Sequence, residues 1–293
     1  MKRTRGETAF MVINTLFLVC FAFFTLYPFW AVIVHSLNEA ADSVKGNLWF
    51  FPRKPTLDNY KFIFANNGLL SGFIVSVGRT VVGTSLSVLL MSMFSYALTR
   101  RGLILGTFFS RAVTFTMFFS GGLIPFYLLI RDLGLINNPL VYVVPFLFAP
   151  YYIIIIRTFF LTNIPDSLEE AAKIDGCNDL TIFFRVVLPI STPILATIAL
   201  FVAVWHWNDW FTGYIYMMRT DMVPLQTYLM KIINEALSHQ LLSSTLGQNA
   251  ASTVSGEAVR NAVMVVVTIP IILVYPFLQK YFVKGVLIGS VKG

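Results

Sequence analysis

Charged residues are scarce in this chain: only 12% of its 293 residues are Asp, Glu, Lys or Arg. A soluble domain carries about 25%, so the composition excludes an ordinary soluble globular protein. Cysteine is scarce too, with Cys20 in a hydrophobic run and Cys177 in a polar gap. These positions are expected to lie in different environments, so we expect no disulfide between them.

The patterns that mark nucleotide, metal and nucleophile sites are also missing. The chain has no Gly-x-x-x-x-Gly-Lys-Ser/Thr loop, no His-Glu-x-x-His, no Cys-x-x-Cys and no Gly-x-Ser-x-Gly. Its three histidines, His35, His206 and His239, lack the spacing of metal ligands. We therefore expect a protein that is not an enzyme and that holds no metal or cofactor of its own.

Hydrophobic residues make up 57% of the chain, and they are gathered in long runs. A run of about 20 residues crosses the ~30 Å hydrocarbon core of a membrane, and such a run must be helical to satisfy its backbone amides. The sequence predicts an all-α polytopic membrane protein with about six transmembrane helices. The predicted spans are Phe10–Val34, Gly72–Leu98, Leu103–Ile130, Leu140–Leu161, Ile190–Tyr214 and Val259–Val283.

Lys and Arg mark the orientation of these spans. They occur in the N-terminal tail, in the connection at residues 100–101 and in the C-terminal tail. The positive-inside rule then predicts a multi-pass protein with both termini in the cytoplasm. Carboxylates are absent from the predicted membrane centre. Asp209, about 20 residues after Pro189, is expected ~30 Å along its span. A proton-coupled carrier is disfavoured, because it places carboxylates near the midplane.

A polar gap at residues 163–189 separates two hydrophobic runs and predicts two short helices with a hinge. Pro165 starts the first helix, and Ser167 and Glu170 match a capping box. Gly176 is expected to end that helix in the left-handed conformation. Asn178 or Asp179 then caps the second helix, and Pro189 opens the next span.

The residues of this gap resemble the EAA loop of ABC importer permeases. Glu170-Ala171-Ala172 is followed three residues later by Gly176, and Leu188-Pro189 closes the pattern. The resemblance implies the type I permease fold and a loop that partner ATPases push on. Small side chains there permit close approach to a groove on the ATPase. The implied coupling residues are Glu170, Ala171, Ala172, Asp175, Gly176, Leu188 and Pro189.

Further motifs resemble the MalG-like permeases of the carbohydrate uptake group. They are Tyr27-Pro28-x-Trp30, Tyr96-Ala97-Leu98-x-Arg100 and the tail at residues 284–293, whose Lys292 and Gly293 are implied to touch the ATPases. Gly121-Gly122-Leu123-Ile124-Pro125 is similar to the LplC-like branch, which is often linked to complex or uronate-containing oligosaccharides.

The resemblance implies one permease domain over residues 1–293 in the bacterial inner membrane, with a cytoplasmic coupling segment at residues 163–189 and a cytoplasmic tail at residues 284–293. The implied partners are a second, related permease, two P-loop ATPase subunits that bind ATP and Mg, and a solute-binding protein outside the cell. Nucleic acid is no expected partner, because no basic cluster with interleaved aromatics occurs in a polar domain.

A polar and aromatic cluster suits a path for sugar: Trp205, Trp207, Asn208 and Asp209 combine indole faces with hydrogen-bonding groups. An aromatic belt at the outer membrane interface has the same composition, so both interpretations stand. Three other functions stay open as rivals. They are a permease of this architecture for amino acids or phosphate, an ion-driven secondary transporter and an intramembrane enzyme.

Overall fold

The computed structural model describes residues 5–43, 45–64, 67–100, 102–245 and 257–273, and these are mostly helical. Within these ranges no β-strand occurs, and the predicted all-α class is confirmed. The helices in chain order are α1 (Arg5–Ser36), α2 (Ala40–Ser43), α3 (Asp58–Phe64), α4 (Asn67–Ala97), α5 (Gly106–Phe118), α6 (Leu123–Asp132), α7 (Pro150–Asn163), α8 (Asp166–Ile174), α9 (Asp179–Ile182), α10 (Leu188–Ile190), α11 (Thr192–Asn208), α12 (Phe211–Tyr216), α13 (Leu225–Thr245) and α14 (residues 257–273).

The first two predicted spans are single helices. Stretches of 31 residues in α1 (Gly6–Ser36) and 30 residues in α4 (Gly68–Ala97) are long and apolar enough to cross a membrane. At 1.5 Å per residue each is about 45 Å long, which exceeds the hydrocarbon thickness. The sixth predicted span, Val259–Val283, lies partly outside the described residues, which end within it at residue 273.

The third and fourth predicted spans are interrupted, so the prediction that each is one continuous helix is wrong. Residues 119–122 are not helical and separate α5 from α6, and Gly122 has a φ of +83°. In the fourth, the 3₁₀ turns Pro139–Tyr142 and Val144–Phe146 precede α7, with a bend of 47°. Glycine permits such a backbone, and each proline removes an amide donor from the helix.

The number of spans is not fixed by helix lengths. In the part of the chain that the structure describes, two helices are long enough to cross a membrane. The count rises to four if each of two bent helix pairs is one span. The prediction of about six spans therefore stays a prediction.

Contacts divide the chain into two compact units. Of the described residues, one unit contains those up to Asn67 and those within Leu229–Pro270, and the other contains those within Gly68–Tyr228 and residues 271–273. The prediction of a single domain over residues 1–293 stays a prediction.

In the first unit, polar side chains fix the loop that follows α1. The Asn59 amide donates to the carbonyl oxygens of Ser36 and Asn38, at 2.9 Å each. The Arg53 Nε donates to Asp42 at 2.9 Å. The pKa of the Asp42 carboxyl lies below its usual value, because the Asn38 amide and then the Arg53 guanidinium stabilise the charged form.

The core of the second unit joins the segment at residues 163–189 to the long helices. Met91 of α4, Ile156 of α7, Ile182 of α9 and Ile198 of α11 are all buried in one cluster, together with Val187. Burying each of these side chains stabilises the packing by roughly 1.5–3 kcal/mol. The segment is therefore packed firmly against the permanent core of this unit.

Candidate functional site: the EAA segment and the 205–209 cluster

The EAA segment, defined as residues 163–189, begins its first helix one residue after Pro165. Pro165 is the N-cap of α8, with φ −64° and ψ 139°, and its carbonyl accepts the Leu168 amide at 3.1 Å. Ser167 lies inside the helix, so the predicted capping box from Ser167 to Glu170 is wrong. The fixed φ of Pro165 starts the helix earlier than a Ser167 cap would.

Gly176 ends α8 as predicted, with a φ of +81°. The Gly176 amide donates to the Lys173 carbonyl at 3.0 Å, and the Cys177 amide donates to the Ala172 carbonyl at 3.0 Å. These two bonds form a Schellman motif, which needs a left-handed residue at the Gly176 position. Ala172 and Cys177, which flank the hinge at Gly176, both pack against the buried cluster, so apolar contacts hold the hinge on the core.

The second half of the segment begins at a side-chain cap. The Asn178 Oδ1 accepts the Thr181 amide at 2.8 Å, which confirms a cap at one of the two residues predicted for it. A π-helical turn, Phe183–Val187, follows α9 and leads into α10. Pro189 has no amide to donate, and a wider turn before it relieves the clash of its ring with the preceding helical turn.

A bend of 82° at Ser191 separates this half from α11. The prediction that Pro189 opens the fifth span is therefore wrong in its position: the long helix starts at Thr192, and Pro193 lies in its first turn. The predicted span also ends sooner, because α11 stops at Asn208 and α12 follows after a break.

The two faces of α8 differ sharply in exposure. Glu169 is buried and Ala172 packs on the core, three residues apart and hence on one face. Glu170 and Ala171 are exposed on another face, and Ile174 is 87% exposed. Of the two small residues in the EAA pattern, Ala172 thus packs within this chain, and Ala171 is open to a partner.

Sequence reasoning missed Glu169, whose carboxylate pairs with both Nη atoms of Arg100. Arg100 follows the end of α4, and its guanidinium carbon lies 4.1 Å from the centroid of the Tyr96 ring. The available signals were the Tyr96-Ala97-Leu98-x-Arg100 motif and the three-residue spacing from Glu169 to the inward-facing Ala172. Neither signal says which acidic residue meets the arginine.

The remaining predicted coupling residues lie in the same segment. Asp175 is exposed at the C-cap of α8, and Pro189 is exposed in α10. Leu188 is partly buried and packs against the core cluster. The tail residues Lys292 and Gly293 lie outside the described residues.

The 205–209 cluster forms the end of α11. Trp205 is 43% exposed, and its ring centroid lies 4.6 Å from that of Phe146. Trp207 is 9% exposed and meets Phe73 edge to face at 6.0 Å. The Asn208 side chain is exposed, and its Nδ2 donates to the Val204 carbonyl at 2.9 Å. Trp205 and Asn208 are therefore the accessible members.

Asp209 is engaged within the chain itself. Its Oδ2 accepts from the Arg79 Nη2 at 2.6 Å, and its Oδ1 accepts the amides of Phe211 and Thr212 at 3.1 and 3.2 Å. Arg79 also lies over the Tyr142 ring, 4.7 Å from its centroid. A sugar hydroxyl would have to compete with these bonds to reach the Asp209 carboxylate.

No group of three or more His, Cys, Asp or Glu side chains with the geometry of a metal site occurs within the described ranges. Neither the EAA segment nor the 205–209 cluster offers a nucleophile paired with a base. What the geometry offers is an exposed two-helix knob on a packed core, and an aromatic surface at the end of a long helix.

Comparison with known proteins decides the class of this chain. The family model described as "binding-protein-dependent transport system inner membrane component" matches residues 2–288. The chain belongs to this family. It is the permease subunit of an ABC importer, which confirms the transport function predicted from the EAA pattern. Importers of this class work with a solute-binding protein and with ATPase partners.

Relatives of the permease match over nearly their whole length. It is 42% identical over 277 residues to the polygalacturonan/rhamnogalacturonan transport system permease protein YtcP of Bacillus subtilis, covering 94% of this chain and 96% of the relative. It is 40% identical over 294 residues to protein LplC of the same organism, covering 100% and 98%. The predicted similarity to the LplC-like branch is thus confirmed.

A solved structure gives the same fold. A chain of a bacterial ABC transporter involved in the import of the acidic polysaccharide alginate superposes with a TM-score of 0.83 at 32% identity, covering 96% of the permease and 99% of that chain. The predicted ABC importer permease fold is confirmed.

Proposed function

We propose that this permease carries uronate-containing oligosaccharides across the bacterial inner membrane, and that ATPases drive it by pushing on the EAA segment. The observation that carries the substrate class is the 42% identity to a polygalacturonan/rhamnogalacturonan permease over 94% of the chain. The likeness to a chain of an alginate importer supports the same acidic class.

The surface of the EAA segment supports the coupling role. Four large apolar side chains are exposed there: Ile174 at 87%, Leu180 at 59%, Phe184 at 48% and Leu168 at 42%. Exposed apolar residues on an extramembrane knob favour a protein partner. Glu170 and Ala171 are exposed on the same helix as Ile174. We expect these residues, with Asp175 and Gly176, to enter a groove on an ATPase, and Leu188 and Pro189 to hold the knob.

The assembly that we propose contains one related permease and two copies of a P-loop ATPase, which bind ATP and Mg. A solute-binding protein delivers the sugar from outside, and both termini of this chain lie in the cytoplasm. The distribution of Lys and Arg supports that orientation. Lys292 and Gly293 in the tail are proposed as a second contact with the ATPases.

For the sugar path, the exposed side chains of Trp205 and Asn208 are the proposed contacts. Trp207 was predicted for the same path and is only 9% exposed. Asp209 belongs to the same cluster. Because its carboxylate is bonded to Arg79, we propose that it holds the end of α11 in place and does not contact the sugar itself. The indole faces suit the apolar faces of sugar rings, and the Asn208 amide suits their hydroxyls.

The test is uptake by the reconstituted complex. Proteoliposomes with ATP inside and the binding protein outside are given labelled trigalacturonate or, as a neutral control, maltotriose. We expect ATP-dependent accumulation of trigalacturonate that is at least about tenfold above that of maltotriose, a difference of ~1.4 kcal/mol. Equal uptake of both sugars would contradict the acidic substrate class. Uptake driven by a proton or sodium gradient without ATP would favour the secondary transporter.

A further inference from the structure

Two side chains near the end of α4 contact the two halves of the EAA segment. Arg100 pairs with Glu169 of α8 through both Nη atoms. The ring of Tyr96 lies 5.5 Å from that of Phe183, in the π turn that follows α9. The Arg100 guanidinium lies over the Tyr96 ring, 4.1 Å from its centroid. The end of one long helix is therefore joined to both sides of the Gly176 hinge.

We propose that Arg100 and Tyr96 are positioning residues that make the EAA segment and α4 move as one body. Arg100 then determines how much of each ATP-driven displacement reaches the membrane. This inference rests on the proposed function, because it takes the ATPases to act on the EAA segment. Glu169 binds the segment to Arg100 within this chain, whereas the adjacent Glu170 is exposed and can contact the ATPase.

Burial makes this ion pair a stiff connection. The Arg100 side chain is 22% exposed and the Glu169 side chain 12%. The exposed pair between Lys173 and Asp179 in the same segment has side chains that are 56% and 63% exposed, at 3.7 Å. An exposed, single-contact pair holds its partners weakly, because water and salt screen it. A shielded two-pronged pair fixes both distance and orientation.

The surroundings offer Arg100 no second carboxylate in the described contacts. Its Nη2 also donates to the Thr99 hydroxyl at 3.3 Å. The nearby Arg157 donates through Nε to the Leu98 carbonyl at 3.3 Å, so it holds the end of α4 by a different bond. Removing the Arg100 charge leaves the Glu169 carboxylate shielded and without this partner, and this polar contact between the end of α4 and α8 is lost.

The Arg100→Lys variant distinguishes the proposed positioning role from a simple requirement for positive charge at this position. Arg100→Lys keeps the charge that the positive-inside rule requires, and therefore the membrane orientation. It cannot reproduce the planar two-pronged bond. A requirement for charge alone predicts normal function in this variant, whereas the proposed positioning role predicts weaker coupling.

The experiment measures trigalacturonate imported per ATP hydrolysed in proteoliposomes that hold the whole complex. The variants are Arg100→Lys, Arg100→Glu, Glu169→Arg and the double exchange Arg100→Glu with Glu169→Arg. We expect the ratio to fall roughly fivefold or more in each single variant, because the two-pronged geometry is lost. ATPases should still copurify. The double exchange should recover the ratio to within about twofold of wild type.

Arg131→Lys is the matched control, since Arg131 pairs with its exposed neighbour Asp132 at 2.9 Å and joins no two elements. It should leave the ratio unchanged. An unchanged ratio in Arg100→Lys, a double exchange no better than its single variants, or loss of the ATPases from Arg100→Lys would overturn the proposal. The two failures are distinguishable: a wild-type complex that imports no trigalacturonate overturns the proposed function, whereas any of the three variant results in an importing wild-type background overturns the positioning role alone.

Discussion

Gly176 is the residue where backbone conformation and function meet most directly. Its φ is +81°, and an added Cβ would meet no atom of this chain within 4 Å, so within the chain a substitution there acts through backbone conformation. Gly176→Asn should keep most import, since asparagine tolerates the left-handed region. Gly176→Val should lose most of it, at a cost of about 1–2 kcal/mol or more in the hinge. Import by proteoliposomes measures both.

Gly134 supplies the control for this prediction. It has a φ of +67°, with open space around its Cβ position. Its amide donates to the Arg131 carbonyl at 2.9 Å, and the Leu135 amide donates to the Ile130 carbonyl at 3.0 Å, the same capping pattern. Gly134→Val should lower stability by a similar amount and leave import unchanged. An equal fall in import in Gly176→Val and Gly134→Val would contradict the special role of Gly176.

Breaking the ion pair of Arg79 with Asp209 should destabilise the protein, because the remaining charge would be shielded from water and unpaired. Their side chains are 2% and 10% exposed. Arg79→Met leaves a buried carboxylate unpaired, and we expect about 3–5 kcal/mol of destabilisation. Adding Asp209→Asn should recover much of this loss, because the amide oxygen can still accept the Phe211 and Thr212 amides. Thermal unfolding in detergent gives the comparison.

The exposed pair of Arg219 with Asp221, at 2.7 Å, is the reference for that measurement. Arg219→Met should change the free energy of unfolding by less than about 1 kcal/mol. If Arg79→Met unfolds at the same temperature as Arg219→Met, the Arg79 pair carries no structural weight.

Sequence reasoning at this scale succeeded where the determinant is local. Gly176 and Asn178 were predicted because a left-handed C-cap and a side-chain N-cap depend on a few adjacent residues. Arg79 and Asp209 are 130 residues apart in sequence, and Arg100 and Glu169 are 69 apart. No spacing rule connects such residues, so only the fold brings them together.

At the scale of elements, hydrophobic runs predicted α1 and α4 and missed the interruptions in other spans. Hydropathy measures composition, and Ser120, Gly121 and Gly122 barely reduce it within an apolar run. The backbone still leaves the helix there. In hydrocarbon, such a break is tolerated only where protein or water satisfies its polar groups. The partner chains that would supply those surroundings are absent from a single sequence.

Two glycines of α4 give opposite predictions for the same change. A Cβ added at Gly83 would lie 2.5 Å from the His206 Nε2 of α11, whereas one added at Gly78 would meet nothing within 4 Å. Gly83→Ala should destabilise the protein by about 1–3 kcal/mol through overpacking. Gly78→Ala should stabilise it by about 0.5–1 kcal/mol, since alanine favours the helix.

The sign of these two shifts in unfolding temperature is the readout. Shifts of the same sign and size would show that α4 and α11 do not pack at Gly83 as described.

At the scale of the whole molecule, we expect the EAA segment and the helices packed on it to move as a rigid body. The EAA segment shares a buried core with α4, α7 and α11. Because close-packed cores transmit displacement rather than absorb it, motion of the knob should move these helices together. Family and fold followed from the EAA pattern and the MalG-like motifs. The exact sugar did not, because it depends on surfaces completed by other chains. The number of spans did not either, because helix lengths allow from two to four spans among the described residues.

The central claim is that the exposed face of α8 touches an ATPase, and site-specific photocrosslinking tests it most directly. A benzophenone amino acid is placed at Ile174, which is 87% exposed, or at Phe51, which is 77% exposed and expected on the opposite side of the membrane. We expect a covalent product with the P-loop ATPase from position 174 and no ATPase product from position 51. No ATPase product from position 174 in an assembled, importing complex would contradict it.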